Sequence, residues 1–62
     1  MIKAPLYEHK ATGMRYMRLA YGYDKTHGTA AVIYCPDDSE DTIYVRDIEE
    51  WEGEFEQVRQ NV

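Results

Sequence analysis

The alternation of apolar and polar residues predicts four short β-strands in the first three quarters of the chain. These segments span residues 6–10, 14–23, 29–35 and 42–46 and are rich in β-branched and aromatic side chains, which favour strands. All six tyrosines lie within them: Tyr7, Tyr16, Tyr21, Tyr34 and Tyr44, with Tyr23 as the last residue of the second segment. Each aromatic ring buries about 150–250 Å², so these tyrosines predict a β-rich fold with an aromatic core.

The alternation in the longest segment, residues 14–23, predicts which side chains share a face of the sheet. A period of two places alternate residues on opposite sides of a sheet. The predicted faces are Tyr16, Arg18 and Ala20 on one side, and Arg15, Met17, Leu19 and Tyr21 on the other. Gly22 predicts a bend or bulge near the end of this strand. Segment 29–35 is apolar on both faces, which predicts an interior strand.

The segments between the strands have turn composition. Residues 11–13 end in Gly13, which is free to adopt a positive φ. Residues 24–28 form a second loop, and the acidic residues 36–41 form a third. The third loop predicts an antiparallel hairpin between segments 29–35 and 42–46.

The last third of the chain carries two competing periodicities. Asp47 is a suitable helix N-cap. The apolar residues Ile48, Trp51, Phe55 and Val58 follow at helical spacing. Glutamates at 50, 52, 54 and 56 instead alternate as in a strand. We predict a helical turn over residues 47–51, a break near Gly53, and a closing strand over 54–58, with Trp51 and Phe55 as core anchors. A continuous C-terminal helix is the alternative.

Four or five antiparallel strands with one short helical turn before the last strand predict a small SH3-like barrel, a single domain over residues 1–62. The chain also resembles a group of short bacterial and phage proteins with the pattern Tyr-x-His, Gly-x-x-Tyr, Val-x-Tyr and aromatic-Val-Arg-Pro followed by an aromatic residue. The matching segments are Tyr7-Glu8-His9, Gly13-Met14-Arg15-Tyr16, Val32-Ile33-Tyr34 and Tyr44-Val45-Arg46 with Trp51. Asp47 stands where the pattern has proline. The resemblance covers residues 6–58 and implies an SH3-like fold, but no activity, because the group has none assigned.

Charge is distributed unevenly within the net value of −5. Residues 1–31 hold five lysines and arginines against two acids, whereas residues 32–62 hold two against ten. The two halves either neutralise each other across the sheet or leave an acidic face for a basic protein partner. The candidate binding residues are Glu49, Glu50, Glu52, Glu54 and Glu56. On a strand, the last four would lie on one face about 6.6 Å apart. A charged edge strand that resists aggregation is the simpler explanation for each one singly.

A second candidate surface combines cations with aromatic rings on the long strand and its loop. Its members are Arg15, Arg18, Tyr21, Tyr23 and Lys25. Rings that stack on bases beside cations are typical of single-stranded nucleic-acid binding. The net negative charge works against this alternative because it repels phosphates.

Catalytic and metal-binding patterns do not emerge from the sequence. His9, His27 and Cys35 lack the paired spacing of a zinc site. The acidic loop starts like a calcium loop, but Thr42 and Ile48 occupy the positions that need glycine and glutamate. Acids after Cys35 should raise the pKa of its thiol. We therefore predict no enzyme activity, no cofactor and no bound metal.

Cysteine content and hydropathy bear on the compartment and the assembly. A single cysteine cannot form an intramolecular disulfide, which favours a reducing cytoplasm. The sequence contains neither a signal-peptide pattern nor an apolar run of about 20 residues that would span a membrane. So small a core would gain from a partner, so a homodimer is compatible with the chain.

Overall fold

The computed structural model describes residues 4–58 and contains one antiparallel sheet with one short helix. The elements are β1 Leu6–His9, β2 Arg15–Asp24, β3 Thr29–Pro36, β4 Tyr44–Asp47, α1 Ile48–Glu54 and β5 Phe55–Gln57. Their order in the sheet is β4-β3-β2-β1-β5. The mainly-β prediction and the β3–β4 hairpin are confirmed. Among the described residues the sheet is open, with β4 and β5 at its two edges.

Helix α1 is longer than the predicted turn. The carboxylate of Asp47 accepts a hydrogen bond from the backbone N–H of Glu49 at 2.9 Å, which confirms it as the N-cap. The helix runs through Gly53, a residue that costs a helix interior about 1 kcal/mol relative to alanine. Phe55 then begins β5, which pairs with β1, so the continuous C-terminal helix is wrong.

The predicted strand row of glutamates is therefore wrong as well. Glu50, Glu52 and Glu54 belong to α1, and Glu56 alone lies on β5. Successive helix residues are offset by about 100° rather than alternating. The helical spacing of the apolar residues prevails over the strand-like alternation of the glutamates because it buries the rings of both Trp51 and Phe55 in the core.

A bulge at Leu19 changes the facing of strand β2. Arg18 pairs with Tyr34 and Ala20 pairs with Ile33, which leaves Leu19 as the extra residue on β2. An extra residue resets the alternation of side chains. Tyr21 consequently lies on the same face as Arg18, and the opposite faces predicted for these two residues are wrong. The irregularity lies at Leu19 and not at Gly22, which pairs regularly with Ala31.

Aromatic side chains form the core on the inner face of the sheet. Trp51 stacks on Phe55 with ring centroids 4.1 Å apart and an interplanar angle of 14°. Tyr34 on β3 and Tyr7 on β1 contact the same indole at 4.7 and 5.0 Å. Trp51 is 3% exposed and Phe55 5%. Their predicted role as core anchors is confirmed.

The ring contacts also show that the sheet is strongly curved. Strands β3 and β5 are three positions apart in the sheet, about 14 Å in a flat sheet with 4.7–4.9 Å spacing. The rings of Tyr34 on β3 and Phe55 on β5 nevertheless lie 5.5 Å apart. The sheet therefore curls around the aromatic core, which brings its two edges toward each other at α1.

Candidate binding groove and acidic helix

The bulged strand and the helix form the walls of an open groove. Its volume is about 380 Å³, and its lining residues are Tyr7, Tyr21, Ile48, Trp51, Glu52 and Phe55. The bulge at Leu19 is what allows Tyr21 to reach this side of the sheet. A larger depression of about 460 Å³ lies on strands β2, β3 and β4, and its lining includes the small residues Gly22 and Ala31 together with Tyr23, Asp24, Arg46 and Asp47. The groove is the better candidate because four of its lining residues are aromatic, whereas Tyr23 is the one aromatic residue that lines the depression.

Arg18 is held at the tyrosine wall of the groove. Its Nη1 donates to the hydroxyl of Tyr21 at 2.8 Å and to that of Tyr7 at 3.0 Å. Its guanidinium carbon lies 4.7 Å from the ring centroid of Tyr21 and 5.7 Å from that of Tyr7. Two hydrogen bonds and two cation–π contacts fix the orientation of this half-buried cation.

The structure separates the predicted basic and aromatic surface into parts. Arg18, Tyr21 and Tyr23 share the inner face, and the two tyrosines are 58% and 67% exposed. Arg15 lies on the outer face, where its Nε is 3.8 Å from a carboxylate oxygen of Glu8. Lys25 is exposed in the turn after β2. Only part of the predicted set can therefore contact one ligand together.

Three of the five candidate glutamates form an exposed acidic helix surface. This surface consists of Glu49, Glu50 and Glu52 on α1. Among residues 4–58, none of the three lies within 4.0 Å of a cationic side-chain nitrogen. Glu49 and Glu52 are three residues apart and so neighbour each other on the helix, and Glu52 also lines the groove.

The other two glutamates lie elsewhere. Glu54 accepts a hydrogen bond from Arg46 Nη1 at 3.2 Å and lies 3.4 Å from His9 Nε2, so it connects β4, α1 and β1. The hydrogen bond from Arg46 to the Tyr34 hydroxyl, followed by the charges of neighbouring glutamates, raises the pKa of Arg46. Glu56 pairs across the sheet with Glu8 and faces away from the aromatic core.

Neither the two histidines nor the cysteine is among the residues that line the groove. His27 bonds Asp24 within the β2–β3 turn, with Nδ1 and Oδ2 2.7 Å apart. Cys35 is buried, and this burial, with a smaller effect of the Glu40 charge, raises the pKa of its thiol in the predicted direction. Within residues 4–58, no three metal-ligating side chains come together. That part of the chain also holds no helix with the length and hydropathy that a membrane crossing needs.

A scan against protein-family models, a search of curated proteins and a search of solved structures each returned no match.

Proposed function

We propose that this chain is a small protein-binding module that contacts a basic partner through the acidic helix surface of Glu49, Glu50 and Glu52. The observation that carries the proposal is the contrast between these three carboxylates and Glu54. Glu54 forms an ion pair with Arg46, whereas the other three have no cation within 4.0 Å among residues 4–58. Exposed charge of one sign speeds encounter with an oppositely charged partner and excludes wrong partners.

The acidic helix surface also adjoins a feature that can add specificity. Glu52 belongs both to this surface and to the groove, where aromatic rings offer apolar area to a partner side chain. Charge pairs at an exposed rim contribute little affinity alone. A basic segment that crosses α1 would therefore gain most of its affinity from apolar contacts in the groove. The glutamates would orient the segment on the surface and exclude partners of the wrong charge.

The proposal extends to the fold type and the setting. Support for an SH3-like barrel comes from the strand order β4-β3-β2-β1-β5, the bulge in β2 and the single helix between β4 and β5. The contact between Arg46 and Glu54 links the two sheet edges in the way a closed barrel would need. The resemblance to short bacterial and phage proteins supports a role as a cytoplasmic accessory factor in a bacterium or phage.

Co-purification with matched variants tests this function. One variant carries Glu49→Gln, Glu50→Gln and Glu52→Gln, and the control carries Asp37→Asn, Asp38→Asn and Asp41→Asn in the exposed β3–β4 loop. Both variants lose three negative charges. We expect the helix variant to lose a partner that the wild type and the loop variant retain. Equal retention by all three proteins would contradict the proposal.

Single-stranded nucleic-acid binding is a second candidate, favoured by the exposed ring of Tyr21 beside the guanidinium of Arg18 and by the exposed ring of Tyr23 on the same face of β2. Bases could stack on these rings while phosphates approach the cation. A fluorescence-anisotropy titration with short single-stranded DNA at low salt tests it. Binding that Arg18→Gln and Tyr23→Ala abolish would support this candidate, and a flat titration would remove it.

A further inference from the structure

Arg18 has a hydrogen-bonding arrangement that leaves one edge of its guanidinium free. The Nη1 nitrogen carries two hydrogens, and the hydroxyls of Tyr7 and Tyr21 accept one each. Within residues 4–58, neither Nε nor Nη2 of Arg18 donates to another residue. The Nε and Nη2 hydrogens point along a common edge and match the two oxygens of a carboxylate or phosphate.

The two tyrosine hydroxyls add donors to this edge of the site. A guanidinium cannot accept a hydrogen bond, so each hydroxyl must act as the acceptor toward Arg18. Each hydroxyl therefore keeps its own O–H for donation to a further group. Five donors therefore remain: one N–H on Nε, two on Nη2 and one O–H on each hydroxyl. None of the five donates to an acceptor among residues 4–58.

The charge of Arg18 also lacks a counter-ion in the described part of the chain. No carboxylate oxygen among residues 4–58 lies within 4.0 Å of its guanidinium. Neutral hydroxyls and aromatic faces are its contacts instead, although the chain carries an excess of acids. A half-buried cation is more stable with an anion beside it.

We propose that Arg18, Tyr7 and Tyr21 form an oxyanion-binding site that holds a carboxylate or a phosphate monoester on the free Nε–Nη2 edge of the guanidinium. The site does not depend on the acidic helix surface, because it binds the opposite charge through the other wall of the groove. Glu52 faces the same groove and opposes anion binding by repulsion. An anionic group of a ligand is thereby directed to the tyrosine wall and kept from the helix.

NMR titration with acetate and with methyl phosphate, at constant ionic strength in chloride, tests the site. The side-chain Nε–H signal of Arg18 should shift saturably, with a dissociation constant in the millimolar range. Tyr21→Phe removes one donor and one orienting contact from an exposed position, so it should weaken binding about three- to fivefold. Glu52→Gln removes the repulsion and should strengthen binding about twofold.

Arg15→Gln is the matched control, because it removes one cation from the outer face of the same strand. It should leave the titration unchanged. Arg18→Gln, followed by the ring signals of Tyr7 and Tyr21 because the guanidinium signal is gone, should show no saturable shift in a protein whose spectrum remains folded. Tighter binding of acetate would identify a carboxylate ligand, and tighter binding of methyl phosphate a phosphate ligand. Absence of a saturable shift with either anion would overturn the proposal, as would equal losses from Arg15→Gln and Arg18→Gln.

Discussion

Arg46 on strand β4 donates from Nη1 to a carboxylate oxygen of Glu54, the last residue of α1, at 3.2 Å. The same guanidinium donates from Nε to the hydroxyl of Tyr34 and lies 5.7 Å from the ring centroid of Phe55. Glu54 directly precedes β5, the strand at the opposite edge of the sheet from β4. Among residues 4–58, strands β4 and β5 do not pair with each other. The side chains of Arg46 and Glu54 instead link the two edges of the curled sheet.

A double-mutant cycle on Arg46→Met and Glu54→Gln should reveal this link. The two side chains are 33% and 44% exposed, so solvent screening reduces their coupling to about 0.5 kcal/mol in the free energy of unfolding. Urea denaturation measures the coupling, which should shrink at high salt. The pair of Arg15 and Glu8, at 3.8 Å and with Arg15 more exposed, is the control and should couple more weakly. A coupling that salt leaves unchanged would contradict an electrostatic link.

Trp51→Ala should unfold the domain at room temperature. The indole is buried against Phe55, Tyr34 and Tyr7, and loss of such a side chain costs about 3–5 kcal/mol. That loss is close to the whole stability of a domain of this size. Tyr23→Ala, at a side chain 67% exposed, should change stability by about 0.5 kcal/mol or less. Circular dichroism melting compares the two, and cooperative melting of the Trp51 variant near the wild-type temperature would show that the core is assigned wrongly.

His27 and Asp24 should titrate as a linked pair in the β2–β3 turn. The hydrogen bond between them raises the pKa of His27 above its ordinary value of 6.5, with a smaller contribution from the charge of Asp47. The same hydrogen bond lowers the pKa of Asp24 below 3.8. The His27 contribution to stability is present below pH 6.5 and is lost as the pH rises through the raised pKa. The Asp24 contribution is present above pH 3.8 and is lost as the pH falls through the lowered pKa, so the pair stabilises the turn most between these values.

NMR titration of the His27 ring measures this effect directly. Asp24→Asn should move the pKa of His27 back toward 6.5, and Asp47→Asn should move it less, because Asp47 acts by charge alone. An unchanged pKa in the Asp24 variant would contradict the hydrogen bond.

Cys35 should react slowly with a thiol reagent in the native protein. Its side chain is fully buried on β3, and burial raises the pKa of its thiol, so little thiolate is present or accessible. Ellman's reagent at mildly alkaline pH should label it only through opening of the sheet, and urea should accelerate labelling in step with unfolding. Labelling in the absence of urea as fast as that of the unfolded chain would contradict its burial.

The sequence predicted the elements well because their signals are local. Turn residues bound the strands, Asp47 begins the helix by capping it, and the spacing of Trp51 and Phe55 marks the buried side of the last third. The facing of Tyr21 was predicted wrongly because a bulge at Leu19 leaves no signature in composition. Burial of the Trp51 and Phe55 rings stabilises the helix more than Gly53 destabilises it. The alternating glutamates at 50, 52, 54 and 56 therefore do not form one strand, and that prediction was also wrong.

The oxyanion site and the groove escaped prediction for a related reason. Tyr7 lies on a different strand from Arg18, and their contact follows from strand pairing, whereas the contact with Tyr21 follows from the bulge. In a regular strand without the bulge, Arg18 and Tyr21 would lie on opposite faces of β2, and Tyr21 would share a face with Arg15. The sequence analysis named all three residues of the acidic helix surface but grouped them with Glu54 and Glu56, which carry the same charge and lie in different surroundings.

Binding of a short oligolysine peptide tests the acidic helix surface most directly. The titration, followed by the fluorescence of Trp51 in the groove, compares the wild type with the helix variant (Glu49, Glu50 and Glu52→Gln) and the loop variant (Asp37, Asp38 and Asp41→Asn). If each exposed charge pair supplies about a two- to threefold gain, the helix variant should bind about tenfold more weakly than the wild type. The loop variant should stay within about twofold of the wild type, because its lost charges lie outside the surface. Equal weakening of both variants would show that net charge alone governs binding and would contradict a specific surface on α1.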